Sequence, residues 1–352
     1  MKAAVLFETG QPLKVVDDVE LPALQKGQVE VEIAYSGVCH SQLMEVRGKR
    51  GEDRFLPHLL GHEATAIVRK CGAGVTKVAP GDKVILGWIR GEGLEAPGAI
   101  YSWNSKPLNS GGVTTFSQKS IVSENRVTPL PKGLSMKLGV LYGCAIPTGA
   151  GLAINEVNIK PGDTVIVIGI GGIGALSLMY ASCQSPGKLI AIDTLQDKLD
   201  FAKTIGATHT ILASGSTPLD EIQSITEGQL ADIAIDAAGK SNTIELAFNA
   251  VKRKGGLCVF ASHPEIGEQI SLDPFELING KQIRGSWGGA TKPDSHIPLF
   301  HQMSLKHDLP LNKMVSKEYT LENVNSALDD LEMGRVMRPI LSINPELENN
   351  DQ

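Results

Sequence analysis

Residues 164–174, TVIVIGIGGIG, carry a β-prone apolar run straight into Gly169-Ile170-Gly171-Gly172-Ile173-Gly174, and ALSLMYASCQ follows with helical character. A G-x-G-x-x-G turn is common by itself; its flanks give it meaning. A strand precedes it, a helix follows, and the next apolar strand, KLIAID (188–193), ends in Asp193, about twenty residues on. Glycines let the backbone approach a pyrophosphate, whose charge is met by free N–H groups at the helix N-terminus. An acid at the end of the second strand accepts hydrogen bonds from the ribose hydroxyls and repels a 2′-phosphate, which favours NAD over NADP. Gly169, Gly171, Gly172, Ile173, Gly174 and Asp193 are therefore the candidate dinucleotide contacts. Two alternatives stay open: Asp193 as a cap for the next helix, and Lys198 as a solvent-facing lysine instead of a second ribose contact.

Outward from this stretch, ADIAIDAAG (231–239) and GGLCVFAS (255–262) continue the alternation of apolar strands with helix-length segments. That pattern specifies an α/β fold with a doubly wound parallel sheet covered on both faces. Upstream, QVEVEIAYSGV, ATAIVRKCG and DKVILGW are short β-prone runs broken by glycine and proline, as in an irregular antiparallel barrel. The tail holds a helical segment, LENVNSALDDLEMG (321–334), and a short strand, RPILSI. The reading divides the chain into a catalytic β-barrel domain (1–150), a Rossmann domain (151–286) and a C-terminal segment (287–352) that returns to the catalytic domain.

With 352 residues the chain has material for two cores. Its net charge of −6 argues against a nucleic-acid binder. No apolar run reaches membrane-spanning length, and MKAAVLFETGQPLKVV reads as a strand, not a secretory signal. Five scattered cysteines do not form a disulfide framework. The expected location is the cytoplasm.

Chemistry is expected in the first half. GVCHSQL (37–43) contains Cys39 and His40, Gly61-His62-Glu63 follows, and Cys144 lies in GCAIPTG (143–149). Alone, Cys39 reads as a small buried hydrophobe as readily as a ligand. Two cysteines and a histidine suit zinc with a fourth position open, but ligands so far apart cannot be inferred from spacing.

GVCHS, GHE and GC-x-x-x-TG, in that order before the glycine turn, resemble the zinc-dependent medium-chain alcohol dehydrogenases. The resemblance covers essentially the whole chain. It is closest to the branch holding the glutathione-dependent formaldehyde dehydrogenases and liver-type enzymes, through GVTTFSQKSIVSENRV (112–127), IGIGGIGALSLM, AIDTLQDKLDFAKTIGAT and PFELINGKQIRGSWGG (274–289). The Cys2His set is that family's own catalytic zinc site, so its presence is a match. The resemblance implies a GroES-like barrel and a Rossmann domain, with zinc on Cys39, His62 and Cys144. It implies hydride transfer between an alcohol, or its aldehyde or ketone, and NAD, with zinc stabilising the alkoxide. Ser41 would take the alcohol proton, and Glu63 would sit beside the metal. Thr148 would lie near the nicotinamide, Arg338 near the pyrophosphate, and Trp88 in the substrate pocket. A homodimer or homotetramer would form through the edge of the nucleotide-binding sheet, near 261–272 and 286–289.

Three departures stand out. Gln42 replaces the family's aspartate behind the zinc-ligand histidine; its amide oxygen is expected to accept that hydrogen bond. Met44 replaces a relay histidine, which leaves His40 or water as the proton exit. The lobe at 88–112 has no cysteine, so one catalytic zinc and no structural zinc are expected, with Tyr101 or Trp103 packing the lobe onto the barrel and Trp88 pointing towards the metal. Arg47, Lys49, Arg50 and Arg54 form either a solvated loop or a mouth for an anionic substrate. Two other functions remain: a zinc-free quinone or enoyl-type reductase of the same superfamily, and a non-catalytic cofactor-binding protein.

Overall fold

The computed structural model describes residues 1–214, 218–262, 264–315 and 317–349. The chain forms two compact units. One comprises Met1–Cys144, Lys292–Gln302 and Leu311–Gln352; the other comprises Ala145–Thr291 and Met303–Pro310.

The first unit is built on the long strand Gln28–Gly37, which is buried on both faces. It pairs antiparallel with Ala64–Cys71, Lys119–Ser123 and, at its C-terminal end, Ile340–Ser342. Val29, Val31 and Ile33 point into one apolar cluster with Val68, Val84 and Val122, while Ala34 and Tyr35 join another with Ile67 and Ile340. Val29, Val31 and Ile33 follow the period-2 alternation of a strand, which an irregularity between Ile33 and Tyr35 then interrupts, sending Ala34 and Tyr35 to the other core. Lys83–Leu86 extends the sheet beyond Ala64–Cys71. The C-terminal tail thereby contributes a strand to the barrel, and the helix read at 321–334 becomes a short turn followed by Val324–Glu332.

The cysteine-free lobe is ordered. Tyr101–Trp103 and Lys106–Leu108 form a hairpin whose turn residues, Asn104 and Ser105, both have positive φ (49° and 61°), as a tight twisted hairpin requires. Tyr101 is fully buried, and its hydroxyl oxygen accepts the Ile121 N–H at 2.7 Å. Trp103 is only half-buried and packs on Phe7, ring centroids 5.5 Å apart. The Glu124 carboxylate accepts backbone N–H bonds from Thr76, Lys77 and Leu94. Packing and hydrogen bonds hold the lobe, with Tyr101 as its main anchor.

The second unit is a six-stranded parallel sheet. Its spatial order is His209–Leu212, Lys188–Asp193, Thr164–Ile168, Ile233–Asp236, Leu257–Phe260 and Gln282–Gly285. The order reverses at Thr164–Ile168, the position where doubly wound sheets bind ligands. The helix Gly172–Ser182 is buried from Gly174 to Ala181, consistent with its apolar character all round. Ala145–Gly151 packs on it so closely that a Cβ on Gly149 would lie 2.7 Å from Leu176 Cβ. That packing moves the division between the units to just after Cys144, earlier than the boundary at residue 150 read from the sequence.

Among the described residues no single helix is long and apolar enough to cross a membrane. The bent pair Met136–Gly143 and Ala145–Glu156 has the length and composition, but it is almost wholly buried.

Candidate active site

Three separate pieces of the first unit deliver the cysteines and the histidine. Cys39 has extended backbone and caps the helix His40–Val46, immediately beyond the barrel strand. His62 and Glu63 precede the strand Ala64–Cys71, after Gly61, whose φ of +91° and lack of a Cβ are both needed: a Cβ would lie 2.3 Å from Thr115 Oγ1. Cys144 follows the turn Val140–Gly143. There the backbone touches the end of the strand Lys83–Leu86, and a Cβ on Gly143 would lie 2.3 Å from the Leu86 carbonyl oxygen. One ligand atom from each of Cys39, His62, Glu63 and Cys144 lies within 4.8 Å of all the others.

Two thiols, an imidazole and a carboxylate at this spacing are a zinc donor set. His62 Nε2 is buried and has no hydrogen-bond partner, a costly condition unless something else meets it. These residues fit the metal. Without it, the hydrogen bond from Cys144 holds the Cys39 thiol well below its ordinary value against the opposing effect of burial, with Arg338 and His62 adding to the depression. Cys144 is pushed up by the same hydrogen bond and by burial. Beneath the sulfurs, the buried Arg338 guanidinium donates to Glu63 Oε1 at 3.0 Å. Burial opposes the guanidinium's charge, but Glu63 and the two sulfurs outweigh it, so Arg338 stays charged.

Gln42 is arranged differently from the expectation. Its oxygen accepts the Cys39 N–H at 3.1 Å, and its amide nitrogen faces His62 Nδ1. The amide has one oxygen, already taken by the Cys39 N–H, whereas a carboxylate would offer a second oxygen to His62 Nδ1; a metal on Nε2 leaves the proton on Nδ1 and would require the amide to turn its oxygen to the ring.

In the second unit, the glycine turn divides its tasks. A Cβ on Gly169 would lie 2.8 Å from Ala238, and one on Gly174 would lie 1.9 Å from the Gly169 oxygen, so both glycines serve packing. Gly171 has nothing within 4 Å of such a Cβ. It immediately precedes Gly172–Ser182, whose first amides, including those of Gly172, Ile173 and Gly174, point out of the helix end. Asp193 ends the strand Lys188–Asp193; its carboxylate accepts N–H bonds from Ile170 (2.7 Å) and Leu195 (3.0 Å). It is therefore tied to the glycine turn as well as to the start of the next helix. Lys198 is half-buried near this carboxylate: burial pushes its ammonium down while Asp193 raises it.

The family model described as an alcohol dehydrogenase GroES-like domain matches residues 25–132, and that for a zinc-binding dehydrogenase matches residues 172–303. An S-(hydroxymethyl)glutathione dehydrogenase of Escherichia coli is 30% identical over 366 residues, covering 97% of this chain and 99% of the relative. The chain belongs to the zinc-dependent medium-chain alcohol dehydrogenases. Solved structures agree in fold. An alcohol dehydrogenase zinc-binding domain protein from Burkholderia ambifaria superposes with a TM-score of 0.88 at 27% identity, covering 97% of this chain and 98% of the other. A benzyl alcohol dehydrogenase from Acinetobacter calcoaceticus reaches 0.87 at 24% identity, covering 97% and 99%.

In this dehydrogenase, Ser41 Oγ is buried without a hydrogen-bond partner, and His40 is exposed one residue before it. Thr148 is buried in Ala145–Gly151. Trp88 turns inward, its indole N–H 3.2 Å from Cys144 Sγ. Within the basic cluster, Arg47 is paired with Asp329 and Glu332, Arg50 lies 3.7 Å from Glu45, and the exposed Arg54 lies 3.7 Å from Glu52. A second group, Glu45, Asp53 and His58, also has ligand atoms within 4.8 Å of one another, but His58 Nε2 already lies 2.8 Å from Asp53. Sequence reasoning missed the contact of Gly87 with Gly143, which sets Trp88 beside Cys144. The available signal was a glycine immediately before each of those residues.

Glu63→Gln should leave the buried Arg338 charge without its carboxylate and destabilise the metal-free chain by about 3–5 kcal/mol in denaturant unfolding. Adding Arg338→Met should restore much of that loss.

Proposed function

We propose that the chain is an NAD-dependent dehydrogenase of uncharged alcohols, with one zinc per chain held by Cys39, His62 and Cys144. The observation that carries this is the convergence of these three residues around a buried, unpartnered His62 Nε2. It also weighs against a zinc-free reductase or a non-catalytic protein, neither of which needs such a set. When bound, the metal supplies a Lewis acid for the alcohol oxygen and the dinucleotide supplies a hydride acceptor.

The chain's own residues do the rest. Ser41 offers a hydroxyl with no competing partner, suited to accept the alcohol proton and pass it on. His40, exposed beside it, gives that proton an exit, since Met44 cannot. Glu63 and Arg338 supply a fixed charge pair beneath the ligands. Gly171 leaves room for the pyrophosphate, and Asp193 sets a negative charge where a 2′-phosphate would have to lie. The pairing of Arg47 with Asp329 and Glu332 favours an uncharged substrate. Trp88, against Cys144, narrows the space such a substrate would enter. The five free thiols suit the cytoplasm.

A second copy of the chain is the proposed partner. Gln282–Gly285 is an edge strand, and the exposed apolar residues Ile266, Phe275, Ile278 and Trp287 come from the segments flanking it. Pairing such an edge across a two-fold axis removes an aggregation hazard. His263, within the segment read as part of this edge, lies outside the described residues.

Elemental analysis should give about one zinc per chain, and Cys144→Ser should lose both metal and activity; two tightly held zincs would contradict the assignment. NAD should be reduced faster than NADP at equal concentration, and Asp193→Gly should narrow the difference. Sedimentation at micromolar concentration should show a dimer or tetramer, and a monomer alone would reject the shared edge.

A further inference from the structure

Trp88 Nε1 lies 3.2 Å from Cys144 Sγ. An indole nitrogen can only donate, so this contact is an N–H···S hydrogen bond to a buried sulfur. The backbone builds it in. A Cβ on Gly87 would lie 2.7 Å from the Gly143 oxygen, so only a residue without one allows the two chain segments to touch. The residues after those glycines, Trp88 and Cys144, are brought side by side. Arg126 fixes the segment from the other direction: its carbonyl oxygen accepts the Gly87 N–H at 3.0 Å, and its guanidinium donates to the Trp88 carbonyl. The indole also packs against the apolar cluster of the barrel. Cys39, by contrast, has the Arg338 guanidinium beside it. Cys144 therefore has a neutral N–H donor of its own, while Cys39 has a cationic group nearby.

We propose that Trp88 is a positioning residue for Cys144, its N–H holding that thiolate in place and drawing off part of its charge. This rests on the reading of Cys39, His62 and Cys144 as metal ligands. Hydrogen bonds to ligand atoms orient them and tune how much electron density the metal receives, and bonds to an ionised acceptor are stronger than neutral ones. In this chain Gln42 supplies no negative charge behind His62, so donors surround the ligand set.

Cobalt reports on thiolate ligands directly. Wild type reconstituted with Co2+ should show a thiolate-to-cobalt charge-transfer band that weakens in Cys144→Ser. In Trp88→Phe, which keeps an aromatic ring but has no N–H, the band should move to lower energy, because the unbonded sulfur is the more electron-rich. A chelator should also strip the metal from Trp88→Phe with about ten-fold higher apparent affinity. A second measurement does not depend on the variant folding: in wild type with 15N-labelled tryptophan and 113Cd, one indole proton should shift on loading and show coupling to the metal through the sulfur. An unmoved band in folded, cobalt-loaded Trp88→Phe, or no indole response to cadmium, would overturn the proposal. Absence of any thiolate band in wild type would overturn the metal reading itself, and this inference with it.

Discussion

The buried pair of Arg338 and Glu63 is the interaction on which the first unit's chemistry rests. The two residues are 275 positions apart, yet their side chains meet at 3.0 Å in a place closed to water. Neither charge is stable there alone, and breaking such a pair is far costlier than never having built it. Its formation demands that the C-terminal tail be in place. Val38 donates to the Pro339 carbonyl, and Ile340–Ser342 pairs with the strand leading to Cys39. The tail that completes the barrel sheet is also the segment that carries the charge beneath the sulfurs.

Backbone contacts impose the other constraint. Gly61, Gly87 and Gly143 each stand where a Cβ would meet a neighbouring chain at less than 3 Å. Together they let three distant segments converge closely enough to bring the sulfur and nitrogen atoms within 4.8 Å of one another. In the second unit the same logic yields a different result: Gly169 and Gly174 are filled in by their surroundings, whereas nothing lies within 4 Å of a Cβ on Gly171.

These distinctions explain what was legible in the sequence. The strand-turn-helix at 164–182 and the apolar strands around it could be read because each is specified by adjacent residues. His209–Leu212 and Gln282–Gly285 were not read as strands; they are short, partly polar and lie at the two edges, where burial writes little pattern. The convergence of Cys39, His62 and Cys144 could be reached only through family resemblance, because no local rule links residues on three separate segments. Side-chain direction was the least accessible. That Gln42 turns its oxygen to Cys39, or that Arg338 lies beneath the sulfurs, depends on which of several donors and charges ends up nearest after folding. Trp88 was a partial success: its inward direction was expected, but its hydrogen bond to sulfur was not.

The hairpin lobe shows how architecture and metal supply have been separated. A lobe cross-linked by thiolates would come apart under metal starvation or oxidation of its sulfurs, and the damage would spread to the barrel it covers. Here Tyr101 and the carboxylate of Glu124 close the lobe with atoms that neither chelators nor mild oxidants attack. The lobe at 88–112 contains no cysteine, so its closure rests on packing and hydrogen bonds that a change in metal supply does not reach.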